Sequence, residues 1–146
     1  MKKLIAICLV LVSINMTAQQ MKIQKIKDLR QETVILEAHL HEADTSYFLM
    51  YRDMQYEYII SYGSIYFKNR TELMTAFADM QTITGAPKGT EYMIPTVDGA
   101  TFMTATLVGQ VVVFVSSKDK ATTKLAEKEV QKLQKAFLQW ESPISH

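Results

Sequence analysis

The chain has 146 residues, 48% of them hydrophobic and 21% charged, with a formal net charge of +1 and one cysteine. That length suits a single domain with a sizeable core. The near-neutral balance excludes nucleic acid as the main partner, since phosphate binding demands a clear excess of Lys and Arg.

Residues 1–20 read MKKLIAICLVLVSINMTAQQ, with Lys2 and Lys3 before an apolar run from Leu4 to Val12 and a small residue at Ala18. This is the layout of a secretory signal peptide, and cleavage is expected after Ala18. The run is well short of the ~20 apolar residues that cross a bilayer, so no stable membrane insertion is expected after cleavage. The end of this segment resembles bacterial export signals, which implies a periplasmic or secreted protein of a Gram-negative cell. Cys8 lies inside the apolar run behind Ile7, without the small residue that lipid modification needs before it. The mature chain, 19–146, is therefore read as cysteine-free, which excludes disulfides and a thiolate nucleophile. Loss of Lys2 and Lys3 takes the basic residues from 16 to 14 against 15 acidic ones.

The first mature stretch, MKIQKIKDLRQE, fits neither period cleanly, because Ile23, Ile26 and Leu29 suit a helix while alternation is poor. TVILEAHL (33–40) does alternate, with Val34, Leu36, Ala38 and Leu40 on one face and Ile35, Glu37 and His39 on the other. It is a strand, and HEADTS supplies the turn after it.

The next stretch, YFLMYRDMQYEYIISYGSIYF (47–67), holds eight Tyr or Phe residues. Turns at Asp53-Met54 and Gly63-Ser64 would divide it into a three-stranded meander. Tyr51 would then face Tyr56, Leu49 face Tyr58, Tyr47 face Ile60 and Tyr62 face Ile65, with Ile60 also beside Phe67. Because cross-strand partners share a face, all of these are expected in the core. The opposite face would carry Phe48, Met50, Arg52, Gln55, Glu57, Ile59, Ser61, Tyr66 and Lys68.

Leu73, Phe77, Met80 and Ile83 recur at helical spacing, with Asn69 as N-cap and Gly85 just past the end. Gly and Pro punctuate 85–99 around a short strand at 91–94. TFMTATLV and QVVVFVSS form a hairpin joined near 108–110, a short strand follows at 122–125, and Val130, Leu133, Phe137 and Trp140 mark the last helix. The expected fold is α+β: an antiparallel sheet built from a meander and a hairpin, with two amphipathic helices (about 70–84 and 126–140) on one face. LMTAF (73–77) against LQKAF (133–137) raises a strands-then-helix repeat.

Little in this chain carries chemistry. Glu37-x-His39-x-His41 on one strand face offers a carboxylate and two imidazoles to a zinc-like ion, the basis of an alternative reading as a small periplasmic metal-dependent hydrolase. A solvated strand face running into a polar loop explains the same residues and is favoured. No Gly-x-Ser-x-Gly elbow occurs, and Gly85, Gly89 and Gly99 lack phosphate-loop spacing. No cofactor is called for. The preferred reading is a non-catalytic exported module that binds a protein or glycan through Phe48, Met50, Arg52, Glu57, Ile59 and Tyr66, whose mix of apolar and charged groups resembles an interface. The sequence sets no oligomeric state.

Overall fold

A computed structural model describes residues 21–54, 58, 60–84, 86–87, 90–96, 99–107, 111–116 and 121–140. The expected signal segment lies outside them. The chain is α+β, and it runs through the same order of elements twice. Strands β1 (Lys22–Leu29), β2 (Val34–Leu40), β3 (Thr45–Arg52) and β4 (Tyr62–Phe67) form an antiparallel meander, followed by helix α1 (Arg70–Thr84). Strands β5 (Glu91–Thr96), β6 (Gly99–Leu107), β7 (Val111–Ser116) and β8 (Thr122–Ala126) form a second one, followed by α2 (Glu127–Gln139). The expected hairpin thus gains β5 and β8 and becomes a sheet of its own.

The alternation of β2 does what its period requires. Val34, Leu36, Ala38 and Leu40 are buried, and across the sheet from them lie Tyr47, Leu49 and Tyr51 of β3 and Ile65 and Phe67 of β4. Both helices lie on this side. Leu73, Ala76, Phe77, Met80 and Ile83 of α1 and Val130, Leu133 and Phe137 of α2 complete one core, which also takes Leu125 of β8. Each large side chain so buried contributes ~1.5–3 kcal/mol. Phe137 is the hinge of the packing: Tyr47 meets it edge-on at 5.1 Å and Phe77 at 6.1 Å.

The ambiguous first stretch is a strand with a register shift between Lys25 and Lys27. An extra residue in a strand reverses the in-out phase beyond it, so one continuous alternation cannot be seen. The turn after β1 is unusual, because Arg30, Gln31 and Glu32 all have positive φ (55°, 52° and 67°). Each such residue costs ~1–2 kcal/mol. The conformation is held by Glu32 N–H donating to Asp28 Oδ1 at 2.8 Å and by Thr33 Oγ1 donating to the Arg30 carbonyl at 2.8 Å. Arg30 then reaches α2, donating through Nε and Nη2 to both carboxylate oxygens of Glu129 and to the Lys124 carbonyl.

The aromatic stretch departs from expectation in one respect. Strands β3 and β4 pair directly, with Tyr47 opposite Phe67, Leu49 opposite Ile65 and Tyr51 opposite Gly63, and among the described residues no strand lies between them. The faces assigned to Tyr47, Leu49, Tyr51, Ile65 and Phe67 hold, but Tyr58, Ile60 and Tyr62 are 92%, 65% and 52% exposed rather than core. Tyr56, and Gln55, Glu57 and Ile59 expected on the opposite face, lie outside the described residues. Gly63 is a strand residue chosen for close approach, not for a turn. A Cβ there would stand 2.7 Å from both Ala121 Cβ and Tyr51 Cε2.

That contact is where the two sheets join. The Tyr51 hydroxyl donates to the Ala121 carbonyl at 3.3 Å, Met54 N–H to the Thr122 carbonyl at 2.8 Å, and Thr122 N–H to Asp53 Oδ1 at 3.0 Å. Asp53 is only 5% exposed, and its other oxygen accepts from Ser61 Oγ at 3.3 Å.

The helix ends follow their sequence signals. Asn69 Oδ1 accepts the Glu72 N–H at 2.9 Å and so caps α1, while Glu72 Oε2 reaches back to accept the N–H of the preceding Lys68 at 2.7 Å. Ala126 cannot cap α2 with its side chain, but Glu129 Oε2 still accepts the Ala126 N–H at 2.8 Å.

Gly63→Ala is expected to lower stability by about 1–3 kcal/mol through overpacking, read as a reduced urea midpoint at unchanged slope. Burial tends to raise the Glu129 carboxyl, but the bonds from Arg30 and Ala126 outweigh it and hold the group below its usual range. Its stabilisation is therefore present above the unfolded carboxylate value of about 4.3 and lost as pH falls through the lower folded value. Wild type should exceed Glu129→Gln by about 1 kcal/mol at neutral pH, with the gap closing below about pH 4 in acid-unfolding curves.

Candidate functional site

The face of the first sheet turned away from the helices carries the residues singled out from the sequence. Alternation places Ile35, Glu37 and His39 of β2 there, together with Phe48, Met50 and Arg52 of β3 and Tyr66 of β4. The register makes a transverse row of Glu37, Phe48 and Tyr66, each opposite the next. Ring centroids of Phe48 and Tyr66 are 5.0 Å apart at 54°, and His39 packs on Phe48 at 4.2 Å and 35°. Such ring pairs add ~0.5–1.5 kcal/mol beyond burial. Three rings therefore form one strip across β2, β3 and β4.

Four members of the expected partner surface, Phe48, Met50, Arg52 and Tyr66, share this face and are half-buried. Glu57 and Ile59 fall outside the described residues. Sequence reasoning did not join Glu37 and His39 to the aromatic strip, because it linked no strand to β2. The signal was available in the short turn His41–Asp44, closed by His41 N–H donating to the Asp44 carbonyl at 2.8 Å. A connection that short makes β2 and β3 hairpin partners.

The metal reading fares differently. Glu37 Oε2 and His39 Nε2 approach to 3.4 Å, with side chains 15% and 14% exposed. His41 lies beyond the end of β2 and lines a cavity instead. Among the described residues no group of three His, Cys, Asp or Glu side chains is placed to hold a metal ion. Two donors on a flat sheet do not make a tetrahedral site.

Ser46 is the cross-strand partner of His39, which puts a hydroxyl, an imidazole and a carboxylate on one face. A general base must lie within about 3.2 Å of the proton it takes. Among the described residues, His39 is bonded to Glu37 and stacked on Phe48, with no hydrogen bond to Ser46. The imidazole is thus packed as part of the strip.

A second surface was not foreseen. The connection between β3 and β4, held at its base by Asp53, exposes Met54, Tyr58 and Ile60, and Tyr62 at the start of β4 is exposed as well. The only sequence clue is Asp53 and Ser61 bracketing the stretch. No helix among the described residues is long and apolar enough to cross a membrane. Comparison with family models, curated proteins and solved structures finds no match.

From the two-donor geometry, zinc is expected to leave the melting temperature of the metal-free protein unchanged, and His39→Ala to behave like wild type in the same titration. A zinc-dependent rise lost in His39→Ala would overturn this reading.

Proposed function

We propose that this protein is an exported, non-catalytic module that binds a protein or glycan partner through the outer face of its first sheet. The observation that carries the reading is the side on which the helices lie. Both pack against Val34, Leu36, Tyr47, Leu49, Ile65 and Phe67, so the opposite strip of His39, Phe48 and Tyr66 is outside the core. Had a helix covered this strip, its aromatic content would be a packing matter alone.

The chemistry of the face suits contact with a partner. Phe48, Tyr66 and Met50 supply apolar area, while Glu37 and Arg52 at its margins can accept and donate hydrogen bonds. An aromatic centre with a polar rim is the usual anatomy of a recognition surface. Export rests on the N-terminal segment, with residues 1–18 as the signal and 19–146 as the working domain. Cell fractionation tests it, and a chain retained in the cytoplasm with residues 1–18 attached would refute it.

Phe48→Ser and Tyr66→Ser are each expected to keep the far-UV circular dichroism spectrum, to cost less than about 2 kcal/mol in stability, and to abolish capture of partners. Loss of the folded state in both variants would assign the strip to packing and sink the proposal.

A further inference from the structure

Past the end of the aromatic strip, the β2–β3 turn and the start of α1 enclose a cavity of about 650 Å³. That size falls within the range of small-molecule sites. Glu42 and Asp44 of the turn line one side, Lys68 and Arg70 before and at the start of α1 line another, and Tyr47 and Tyr66 also contribute. Among the described residues, none of these four charges enters an ion pair.

The positive side is pre-set. The Arg70 guanidinium lies 4.6 Å from the Phe137 ring centroid, over its face. It also neighbours the Tyr47 phenol, which burial pushes up and which Arg70 draws back toward ionisation. An Arg held this way has less rotamer freedom to lose when it meets a carboxylate. Of the amides around the start of α1, those of Lys68, Glu72 and Leu73 are already taken, by Glu72 Oε2, Asn69 Oδ1 and the Asn69 carbonyl. Recognition would come from side chains. The negative side is fixed too, since His41 N–H donates to the Asp44 carbonyl and closes the turn that carries both acids.

Two charges of each sign around one cavity decide the class of ligand. A simple anion would be repelled by Glu42 and Asp44, and a simple cation by Lys68 and Arg70. We propose that the cavity binds a small zwitterion of di- or tripeptide size, with its carboxylate on Lys68 and Arg70, its ammonium group on Glu42 and Asp44, and its body against Tyr66. The site goes beyond the partner-face reading: it shares Tyr66 with that face, but its charged groups lie outside it and Phe48, Met50 and Arg52 do not line the cavity, so Phe48→Ser tests the face without touching the cavity.

The test is titration of the mature protein with trialanine, N-acetyl-trialanine and trialanine amide, followed by amide NMR shifts and calorimetry. Trialanine is expected to give saturable shifts confined to 41–47 and 66–70, and blocking either terminus should weaken binding at least about tenfold. Arg70→Gln should weaken trialanine by about tenfold or more yet leave the amide unchanged, because the amide has no carboxylate to lose. Should Arg70→Gln fail to fold for want of its Phe137 contact, Lys68→Gln makes the same comparison from an exposed position. Absence of saturable shifts at about 10 mM trialanine would overturn the proposal. Equal binding of the free and amidated peptides would overturn it as well.

Discussion

The buried carboxylate of Asp53 is the constraint on which the rest of this structure turns. Burying a carboxyl group costs free energy unless hydrogen-bond donors meet it, and here the Thr122 amide meets one oxygen and the Ser61 hydroxyl the other. Those donors come from the second sheet and from the far end of the β3–β4 connection. One side chain therefore ties the edge of the first meander to the start of β8 and also pins a long loop at its base. Tyr51 and Gly63 complete the joint, because only a residue without a Cβ lets the Tyr51 ring and Ala121 come so close. The loop can project Tyr58 and Ile60 into solvent because its ends are fixed in this way.

The first meander has one apolar face, Val34, Leu36, Tyr47, Leu49, Ile65 and Phe67, which must be covered to be kept from water. The two helices solve this jointly. Each touches strands of both sheets and the other helix, so the core is shared between the halves. The resemblance of LMTAF to LQKAF has its counterpart in the packing: Leu73, Phe77, Leu133 and Phe137 are all fully buried. Shared surroundings explain why the two helices repeat those residue types. The order of strands and helix repeats with them.

Much of this was legible where one residue pattern answered to one physical demand. The period of 3.6 in 70–84 and 127–139, the alternation of 34–40 and the cap at Asn69 each led to the element observed. Reading failed where two demands met in one residue. Gly63 looked like a turn glycine because freedom in φ is its commoner use, whereas here the absence of a side chain matters. The bulge in β1 hid a strand by breaking its phase. The outer strip was half visible: Phe48 and Tyr66 were placed on it by parity alone, while Glu37 and His39 needed the β2–β3 pairing to join them. The cavity charges could not be found at all, since Glu42 and Lys68 meet only through the fold of the whole meander.

The left-handed turn at Arg30, Gln31 and Glu32 bears on how the chain reaches this structure. Local bonds hold its shape, and Arg30 within it also grips Glu129, a residue 99 positions away. Until α2 is in place, the turn between β1 and β2 lacks that one contact. Closing so long a loop must precede the stabilisation that follows from it, which slows folding and makes it cooperative across both halves. The first turn of the meander and the last helix are thereby one joint, so a lesion at either end of it is felt at the other.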